Sequence, residues 1–160
     1  GLRTLQFGEQ LDALLGPIRA KSRELDAQAG RNVPLLVKIA PDMSEEEVAL
    51  VAGSIARNEL DGVIATNTTV SRDAVSDDPQ AQEAGGLSGK PVFEASNTVI
   101  RLLRAHLPTL PIIGVGGIDS GEAAKAKIAA GADLVQLYSG LIYQGPALVQ
   151  QCAKALKQGE

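Results

Sequence analysis

Two short turns rich in glycine and small polar residues are the part of this sequence best suited to bind an anion. Gly116-Gly117 follows the apolar run of residues 112–115, and Tyr138-Ser139-Gly140 follows a second apolar run at residues 134–137. Each run is typical of a parallel strand buried by helices on both faces, so each turn would lie at the carboxyl end of a strand. Backbone N–H groups and helix N-termini in such places bind phosphate. The alternative is two ordinary glycine turns without a ligand, but their occurrence on consecutive strands favours a phosphate site.

Lys38 is the one charged residue in the apolar run of residues 33–39. A cation near the C-terminal end of a barrel strand points toward the mouth where active sites lie, and lysine is almost never buried without a partner. Lys38 would therefore point its ammonium group toward a ligand site. The alternative, which the residues alone favour slightly, is a lysine that extends its ammonium group into solvent from a strand end.

Thr66-Asn67-Thr68 follows the strand predicted at residues 61–65. An asparagine amide offers both a donor and an acceptor, and threonine adds a hydroxyl, so these side chains could bond a polar ligand. The alternative is an ordinary turn in which these side chains bond the local backbone.

Helices are predicted between these strands from capping residues and apolar stripes. Leucine and isoleucine recur on one face of residues 11–25, although Gly16-Pro17 predicts a kink there or two abutting helices. Ser44 with Glu47 fits a capping box, and so does Asp119 with Glu122. Gly131 then fits a left-handed cap that ends the second of these helices. Further helical segments are expected at residues 92–107, 141–144 and 146–156.

The order is a helix followed by four strand-and-helix units, which predicts a parallel sheet with right-handed crossovers. The fold class is therefore α/β, and four such units are half of a (β/α)8 TIM barrel, which takes about 250 residues when complete. An open flavodoxin-like sheet is the alternative, but it needs a fifth strand. In the half-barrel, residues 33–39 and 134–137 are expected to form the two edge strands.

Composition excludes several classes of protein. The 160 residues are 44% hydrophobic, which is enough for one globular core. The 15 Lys and Arg are outnumbered by 19 Asp and Glu, and there is no basic run, so a nucleic-acid partner is not expected. No apolar stretch reaches the roughly 20 residues of a membrane span. Cys152 is the one cysteine and is expected to be a buried thiol in a reducing compartment.

Five short motifs follow one another along the chain: Val37-Lys38-Ile39-Ala40-Pro41-Asp42, Thr66-Asn67-Thr68-Thr69, Gly85-Gly86-Leu87-Ser88-Gly89, Gly114-Val115-Gly116-Gly117-Ile118 and Tyr138-Ser139-Gly140. In this order they closely resemble the dihydroorotate dehydrogenase family, and within it the membrane-associated, quinone-reducing class. The resemblance covers nearly the whole chain from Gly1-Leu2-Arg3-Thr4 onward. It implies that residues 1–160 are the C-terminal half of an FMN-binding barrel that oxidises dihydroorotate to orotate in pyrimidine biosynthesis and passes the electrons to a quinone.

The resemblance also implies roles for eight residues. Lys38 is expected beside the pyrimidine edge of the flavin, where it stabilises negative charge as the flavin is reduced, and Thr66 is expected to contact the flavin. Asn67 and Thr68 are expected to bind the substrate. The remaining cofactor positions are Gly89, Gly117, Tyr138 and Ser139, with the last three around the phosphate.

Other parts of the enzyme are expected outside this sequence. In the family, the serine base that takes the proton from dihydroorotate precedes the residues that match Gly1-Leu2-Arg3, so no catalytic base and no metal site is expected in this chain. The quinone site and the membrane-binding helices belong to an N-terminal extension. The resemblance thus implies peripheral attachment to the cytoplasmic face of the inner membrane in a bacterium, or to the mitochondrial inner membrane in a eukaryote. Alone, the chain is expected to be inactive and to self-associate.

His106 and Asp42 are given structural roles. His106, the one histidine, precedes the third strand and is expected in solvent at the bottom of the barrel. Asp42 is expected to serve the turn before the Ser44 cap. Two alternatives to the family function stay open: another FMN- or phosphate-binding barrel enzyme, and a non-catalytic half-barrel that binds a phosphate ligand.

Overall fold

A computed structural model describes residues 8–157, so the motif at Gly1-Leu2-Arg3-Thr4 lies outside the described residues. The chain alternates strands and helices as predicted. Two 3₁₀ turns, Asp73–Val75 and Lys90–Val92, lie in the long connection between the second strand and the third helix. The helices and strands are α1 (Gly8–Ala29), β1 (Leu36–Ile39), α2 (Glu45–Arg57), β2 (Gly62–Ala65), α3 (Phe93–His106), β3 (Ile112–Val115), α4 (Gly121–Ala129), β4 (Leu134–Gln136), α5 (Ser139–Gln144) and α6 (Ala147–Lys157).

The four strands form one parallel sheet in the order β1-β2-β3-β4, which confirms that β1 and β4 are its edges. β1 is shorter than predicted. Pairing starts only at Leu36, because the Leu35 amide donates instead to the Asp61 carboxylate, at 2.7 Å. β4 likewise ends one residue early, at Gln136.

One of the two predicted capping boxes is present. Ser44 Oγ accepts from the Glu47 amide at 3.2 Å, and the Glu47 carboxylate accepts from the Ser44 amide at 2.7 Å. The box predicted for Asp119 is wrong, because Ser120 is the residue that caps α4 and accepts from the Ala123 amide at 3.1 Å. The shift of one residue places Glu122 too early in α4 to complete a box.

The other predicted features of the helices have mixed outcomes. Gly131 has a positive φ of 116° and follows Ala130, the C-cap of α4, as predicted for the glycine that ends this helix. α1 runs unbroken through Pro17, so two abutting helices are not present. Leu11 and Leu15, which both precede the proline, are buried in the main core with residues of α2 and the sheet and hold this part of α1 in place.

The helices cover one face of the sheet. Ile39, Val63, Ala65 and Ile112 pack there against buried residues of α1, α2 and α3. The expectation that both faces are covered is wrong for the described residues. Alternate strand residues point away from these helices, and none of them belongs to either buried cluster. Val115, which lines the cleft, is buried. The other large side chains on this face are half-buried or exposed: Leu36, Lys38, Ile64, Ile113, Leu134 and Gln136.

A second, smaller cluster holds the end of the chain onto the sheet. Ile118, Ala124, Leu148 and Cys152 are buried together between α4 and α6. Burial raises the pKa of the Cys152 thiol, as expected for a packed rather than a reactive cysteine.

Two aspartates fasten the amino-terminal ends of the strands in the same way. Asp61 accepts from the Leu35 amide at 2.7 Å and pairs with Arg19 of α1 at 2.7 Å. Asp133 accepts from the Ile112 amide at 2.7 Å and pairs with Arg104 of α3 at 2.7 Å. Each carboxylate therefore joins the start of a strand to a helix. These contacts lie at the amino-terminal ends of the strands, and the predicted phosphate turns lie at the carboxyl ends.

We predict that Asp61→Asn lowers the free energy of unfolding by about 1–3 kcal/mol at pH 7, since two partners lose a charged acceptor. The hydrogen bond from Arg19, followed by that from the Leu35 amide, lowers the pKa of Asp61 below its ordinary value of 3.8. Its stabilisation is therefore complete above pH 3.8 and is lost as the pH falls below that value. Urea denaturation at pH 7 and pH 3 measures both effects, with Asp77→Asn on the exposed loop as control. Equal loss of stability in the two variants would contradict this role of Asp61.

Candidate functional site

A single cleft at the carboxyl ends of the strands contains every site residue predicted from the sequence. Its walls come from Lys38 of β1, from the ends of β3 and β4, from the segments that follow β2, β3 and β4, and from the segment before α3. Its lining includes Lys38, Thr66, Asn67, Thr68, Gly89, Gly117, Tyr138 and Ser139. The structure brings all eight together, and their binding roles stay predictions.

Backbone hydrogen bonds fix the part of the cleft that follows β2. The Thr66 amide donates to the Val115 carbonyl at 2.9 Å, and the Asn67 amide donates to the Ile39 carbonyl at 2.7 Å. The two consecutive amides thus bond to the strands on opposite sides of β2. Thr66 is buried, and its hydroxyl donates to the Asn67 carbonyl at 3.0 Å. The backbone that carries the Thr66 and Asn67 side chains is therefore fixed by hydrogen bonds to both neighbouring strands.

Only one of the two polar groups of the Asn67 side chain forms a hydrogen bond within the local turn. Its Oδ1 accepts from the Thr68 amide at 2.9 Å, which is the local turn bond considered as the alternative to ligand binding. Its Nδ2 makes no hydrogen bond within residues 8–157, and the residue is exposed. The turn and a ligand contact are thus compatible, because they use different ends of one amide.

Lys38 extends from β1, where it is paired in register with Ile64 of β2. Its side chain is exposed and lines the cleft beside Thr66 and Asn67. Among the described residues it has no ion pair. The ammonium group is therefore placed to meet a negatively charged group in the cleft.

The turn after β3 is shaped by close packing as well as by glycine's conformational freedom. Gly116 and Gly117 have positive φ values of 118° and 71°. A Cβ on Gly117 would lie 2.6 Å from Cβ of Phe93, the first residue of α3. The prediction treated these glycines as sites of ligand approach. The structure adds that they are required for the turn to contact α3.

The turn after β4 meets the segment before α3. Ser139 begins α5, so its own amide and that of Gly140 have no partner within that helix. The Ser139 hydroxyl donates to Ser88 Oγ at 2.9 Å. A Cβ on Gly89 would lie 3.7 Å from Ser139 Cβ. Backbone amides and small hydroxyl groups thus converge beside Gly117, a donor set that suits a phosphate group.

Asp42 binds the loop after β2 and was predicted only to serve its own turn. Its carboxylate accepts from the Thr69 hydroxyl and from the Val70 amide, the latter at 3.1 Å. Thr69 and Leu87 exchange backbone hydrogen bonds of 3.0 and 2.8 Å, which close the intervening loop. Asp42 therefore fixes the base of this loop at the rim of the cleft.

Arg72 organises the interior of the same loop. Its guanidinium donates to backbone carbonyls on both sides of the loop, including Ala81 at 3.1 Å and Gly85 at 2.8 Å. At the loop's end, a Cβ on Gly86 would collide with the Thr68 hydroxyl, which explains why this position is glycine. The loop of residues 70–86 is thus held by specific contacts although it shows no periodic pattern.

Lys127 of α4 is a buried cation that the sequence interpretation missed. It is 0% exposed, its Nζ donates to the Phe93 carbonyl at 3.3 Å and to Ser96 Oγ, and it lies 4.8 Å from the centre of the Phe93 ring. No carboxylate within residues 8–157 forms an ion pair with it. The signal in the sequence was its spacing, because Lys127 shares a helical face with Ala124 and Ile128.

Burial lowers the pKa of Lys127 from 10.5 to about 8. Glu94 opposes this shift and Arg101 adds to it, and both effects are smaller than that of burial. A charged Lys127 therefore costs folding free energy.

His106 ends α3 and is exposed, as predicted, at the opposite end of the sheet from the cleft. Within residues 8–157, no group of three or more His, Cys, Asp or Glu side chains is placed to hold a metal ion. Among the described helices, none is both long and apolar enough to cross a bilayer.

The fold and the cleft define half of a (β/α)8 barrel with its site at the carboxyl ends of the strands. The family model described as dihydroorotate dehydrogenase matches residues 1–159. The chain belongs to the dihydroorotate dehydrogenase family.

Relatives and solved structures are similar over almost the whole chain. The protein named dihydroorotate dehydrogenase (quinone) of Burkholderia mallei (strain SAVP1) is 59% identical over 99% of this chain and 46% of its own length. The protein of the same name from Delftia acidovorans is 61% identical over 98% of this chain and 45% of its own length. The chain therefore spans about half the length of these curated relatives.

Two crystal structures of DHODH from Eimeria tenella have the same fold. The complex with ferulenol has a TM-score of 0.90 at 31% identity, over 98% of this chain and 45% of that chain. The ligand-free form has a TM-score of 0.89 at 34% identity, over 98% and 46% of the two chains.

We predict that Lys127 makes the protein more stable as the pH rises from about 8 to 10.5. Over this range the folded protein has released the Lys127 proton and the unfolded chain still holds it, so the cost of the buried charge disappears. The gain is on the order of 3 kcal/mol, from 1.36 kcal/mol per pKa unit. Urea denaturation of wild type and Lys127→Met between pH 7 and pH 10.5 measures it, because the variant lacks this contribution. A constant difference in unfolding free energy between the two proteins across this range would show that Lys127 does not titrate as described.

Proposed function

We propose that this chain is the C-terminal, FMN-binding half of a quinone-dependent dihydroorotate dehydrogenase, which oxidises dihydroorotate to orotate in pyrimidine biosynthesis. The observation that supports it is the cleft itself. A free lysine, an asparagine and threonine segment and two amide-rich turns meet there, in a chain that belongs to this family. A phosphate-binding barrel of another kind would account for the two turns but not for Lys38 beside Thr66 and Asn67.

FMN fits the donors of the cleft at both of its ends. The phosphate would be held by Gly117, Tyr138 and Ser139, where helix α5 begins with amides that have no partner within that helix. Gly89 would contribute from the segment that touches Ser139. Thr66 and Lys38 would lie at the ring. Lys90 adds a cation at the rim of the phosphate end, where it is paired with Asp119 at 3.6 Å.

FMN would supply the acceptor for the two electrons that leave dihydroorotate. The ammonium group of Lys38 would stabilise the negative charge that develops at the pyrimidine edge of the ring. Such stabilisation needs a charge that is already in place, and β1 holds the Lys38 backbone in register with β2. Lys38 therefore acts through its position and charge rather than by transferring a proton.

Substrate contacts would come from Asn67 and Thr68. The free Nδ2 of Asn67 can donate to a carbonyl or carboxylate of the pyrimidine, while Oδ1 stays on the Thr68 amide. Thr68 would add its hydroxyl. Both residues follow Thr66, so a substrate bound to them lies next to the proposed ring position.

The other half of the barrel would complete the site. The open face of the sheet carries apolar side chains, with Leu134 61% exposed, and the curated relatives are about twice as long. We propose that the missing half covers this face and supplies the serine base, upstream of Gly1. An N-terminal extension would supply the quinone site and peripheral attachment to the inner membrane. Residues 1–160 alone would then be inactive.

We predict that Lys38→Ala in the intact enzyme slows flavin reduction by dihydroorotate by roughly 100-fold or more, the usual effect of removing a preorganised group that stabilises developing charge. Stopped-flow absorbance of the flavin, mixed anaerobically with dihydroorotate, measures the rate. Lys154→Ala, which removes an exposed lysine from α6, is the matched control and is expected to react like wild type. Reduction of the Lys38→Ala flavin at the wild-type rate would contradict this role. Failure of dihydroorotate to reduce the wild-type protein would contradict the proposed function.

A further inference from the structure

The environment of Lys127 is unusual because the hydrogen-bond partners of this buried cation are all neutral, and Glu94 favours its charge without forming an ion pair. Its Nζ donates to the Phe93 carbonyl and the Ser96 hydroxyl, and it lies over the Phe93 ring. Buried charges are normally paired, since an isolated ion is costly to remove from water. Within residues 8–157, no carboxylate is close enough to Lys127 to form an ion pair.

The groups that Lys127 binds belong to the first turn of α3, and the other side of that turn contacts the glycines of the cleft. A Cβ on Gly116 would lie 3.0 Å from Ser96 Oγ and 3.1 Å from Val92 Cγ1. A Cβ on Gly117 would lie 2.6 Å from Phe93 Cβ and 3.0 Å from its amide nitrogen. The α3 turn is thus held between Lys127 and the Gly116-Gly117 turn.

The stem of Lys127 also packs directly under β3. A Cβ on Gly114 would lie 3.3 Å from Lys127 Cδ. Gly114 is two residues before Gly116, so the lysine contacts both the strand that leads into the glycine turn and the helix that backs it. A substitution at Lys127 would therefore alter the Gly116-Gly117 turn both through β3 and through the first turn of α3.

The charge of Lys127 adds to a second positive feature at the same place. The N-terminus of a helix carries a partial positive charge, and a cation close to it is unfavourable. Glu94 in the same turn offsets part of this cost, but burial of the Lys127 ammonium group outweighs it. An anion bound on the cleft side of Gly116-Gly117 would offset both the cost of the buried Lys127 charge and its repulsion from the N-terminus of α3.

We propose that Lys127 is a positioning residue for the phosphate end of the cleft, and that it makes the site select a phosphorylated flavin over the same flavin without phosphate. It locks the first turn of α3 against Gly116-Gly117 and adds positive potential behind them. This inference rests on the proposed function, because it takes FMN as the ligand.

The test compares two flavins that differ only in the phosphate. Fluorescence titration of the flavin-free intact enzyme at pH 7 gives dissociation constants for FMN and for riboflavin. Lys127→Met is the variant, since methionine keeps an unbranched apolar stem without the charge. Lys125→Met is the matched control, because it removes the same charge from the same helix at a partly exposed position that pairs with Glu122.

We expect Lys127→Met to weaken FMN binding by roughly tenfold, equivalent to 1.4 kcal/mol, and to leave riboflavin binding nearly unchanged. Lys125→Met should bind both flavins like wild type. Equal weakening of FMN and riboflavin by Lys127→Met would show a purely structural role and overturn the inference, and so would unchanged FMN binding. A wild-type protein that binds neither flavin would instead overturn the proposed function, and the inference with it.

A second variant keeps the test decisive if Lys127→Met does not fold, as judged by circular dichroism. Lys127→Gln retains an N–H donor for Ser96 and the Phe93 carbonyl but carries no charge. The same selective loss of FMN binding is expected. Failure of both variants to fold would overturn the inference, because Lys127 would then be required for folding rather than for ligand selection.

Discussion

The parallel register of the four strands is the constraint on which the cleft depends. Because β1, β2, β3 and β4 are parallel, the segments that follow them all begin at the same end of the sheet, where the carboxyl ends of the strands lie. The ladder continues past the strands, where the Thr66 and Asn67 amides bond to the neighbours on either side of β2. Groups distant in sequence are thereby held together by backbone hydrogen bonds, to which side-chain contacts such as that between Ser139 and Ser88 add. At the amino-terminal ends of the strands, the carboxylates of Asp61 and Asp133 fix the starts of β1 and β3.

Charged side chains have different roles at the amino-terminal and the carboxyl ends of the strands. At the amino-terminal ends, each carboxylate has an arginine partner and a strand amide, so its charge stabilises the fold. At the cleft, Lys38 has no ion-pair partner among the described residues, and Lys127 is buried behind the glycine turn with neutral partners only. The buried charge of Lys127 is costly for the isolated chain. Positive charge without an ion pair at both positions is the distribution expected of a site whose partner is an anionic ligand.

Local patterns in the sequence predicted much of this structure. The strand order, both edge strands, the Ser44-Glu47 cap and the convergence of Lys38 with the polar turns all followed from signals within a few residues. Most of the failures have a common cause, which is contact between distant segments, whereas the start of α4 is a local ambiguity. Ser120 rather than Asp119 caps α4, and the sequence alone fits either start. Asp42 bonds across to the loop after β2, and Lys127 is buried by α3, so neither role is visible in its own neighbours. The open face of the sheet was missed because an apolar strand looks the same whether helices or other strands cover it.

A crystal structure of the intact enzyme with flavin and orotate bound tests the central claim most directly, namely that the cleft at the carboxyl ends of these strands holds FMN and substrate side by side. We predict electron density for the phosphate against the Gly117, Tyr138 and Ser139 backbone, with Lys38 at the ring and Asn67 at orotate. Density for the flavin phosphate at any other place in the chain, or orotate bound away from Asn67, would contradict it.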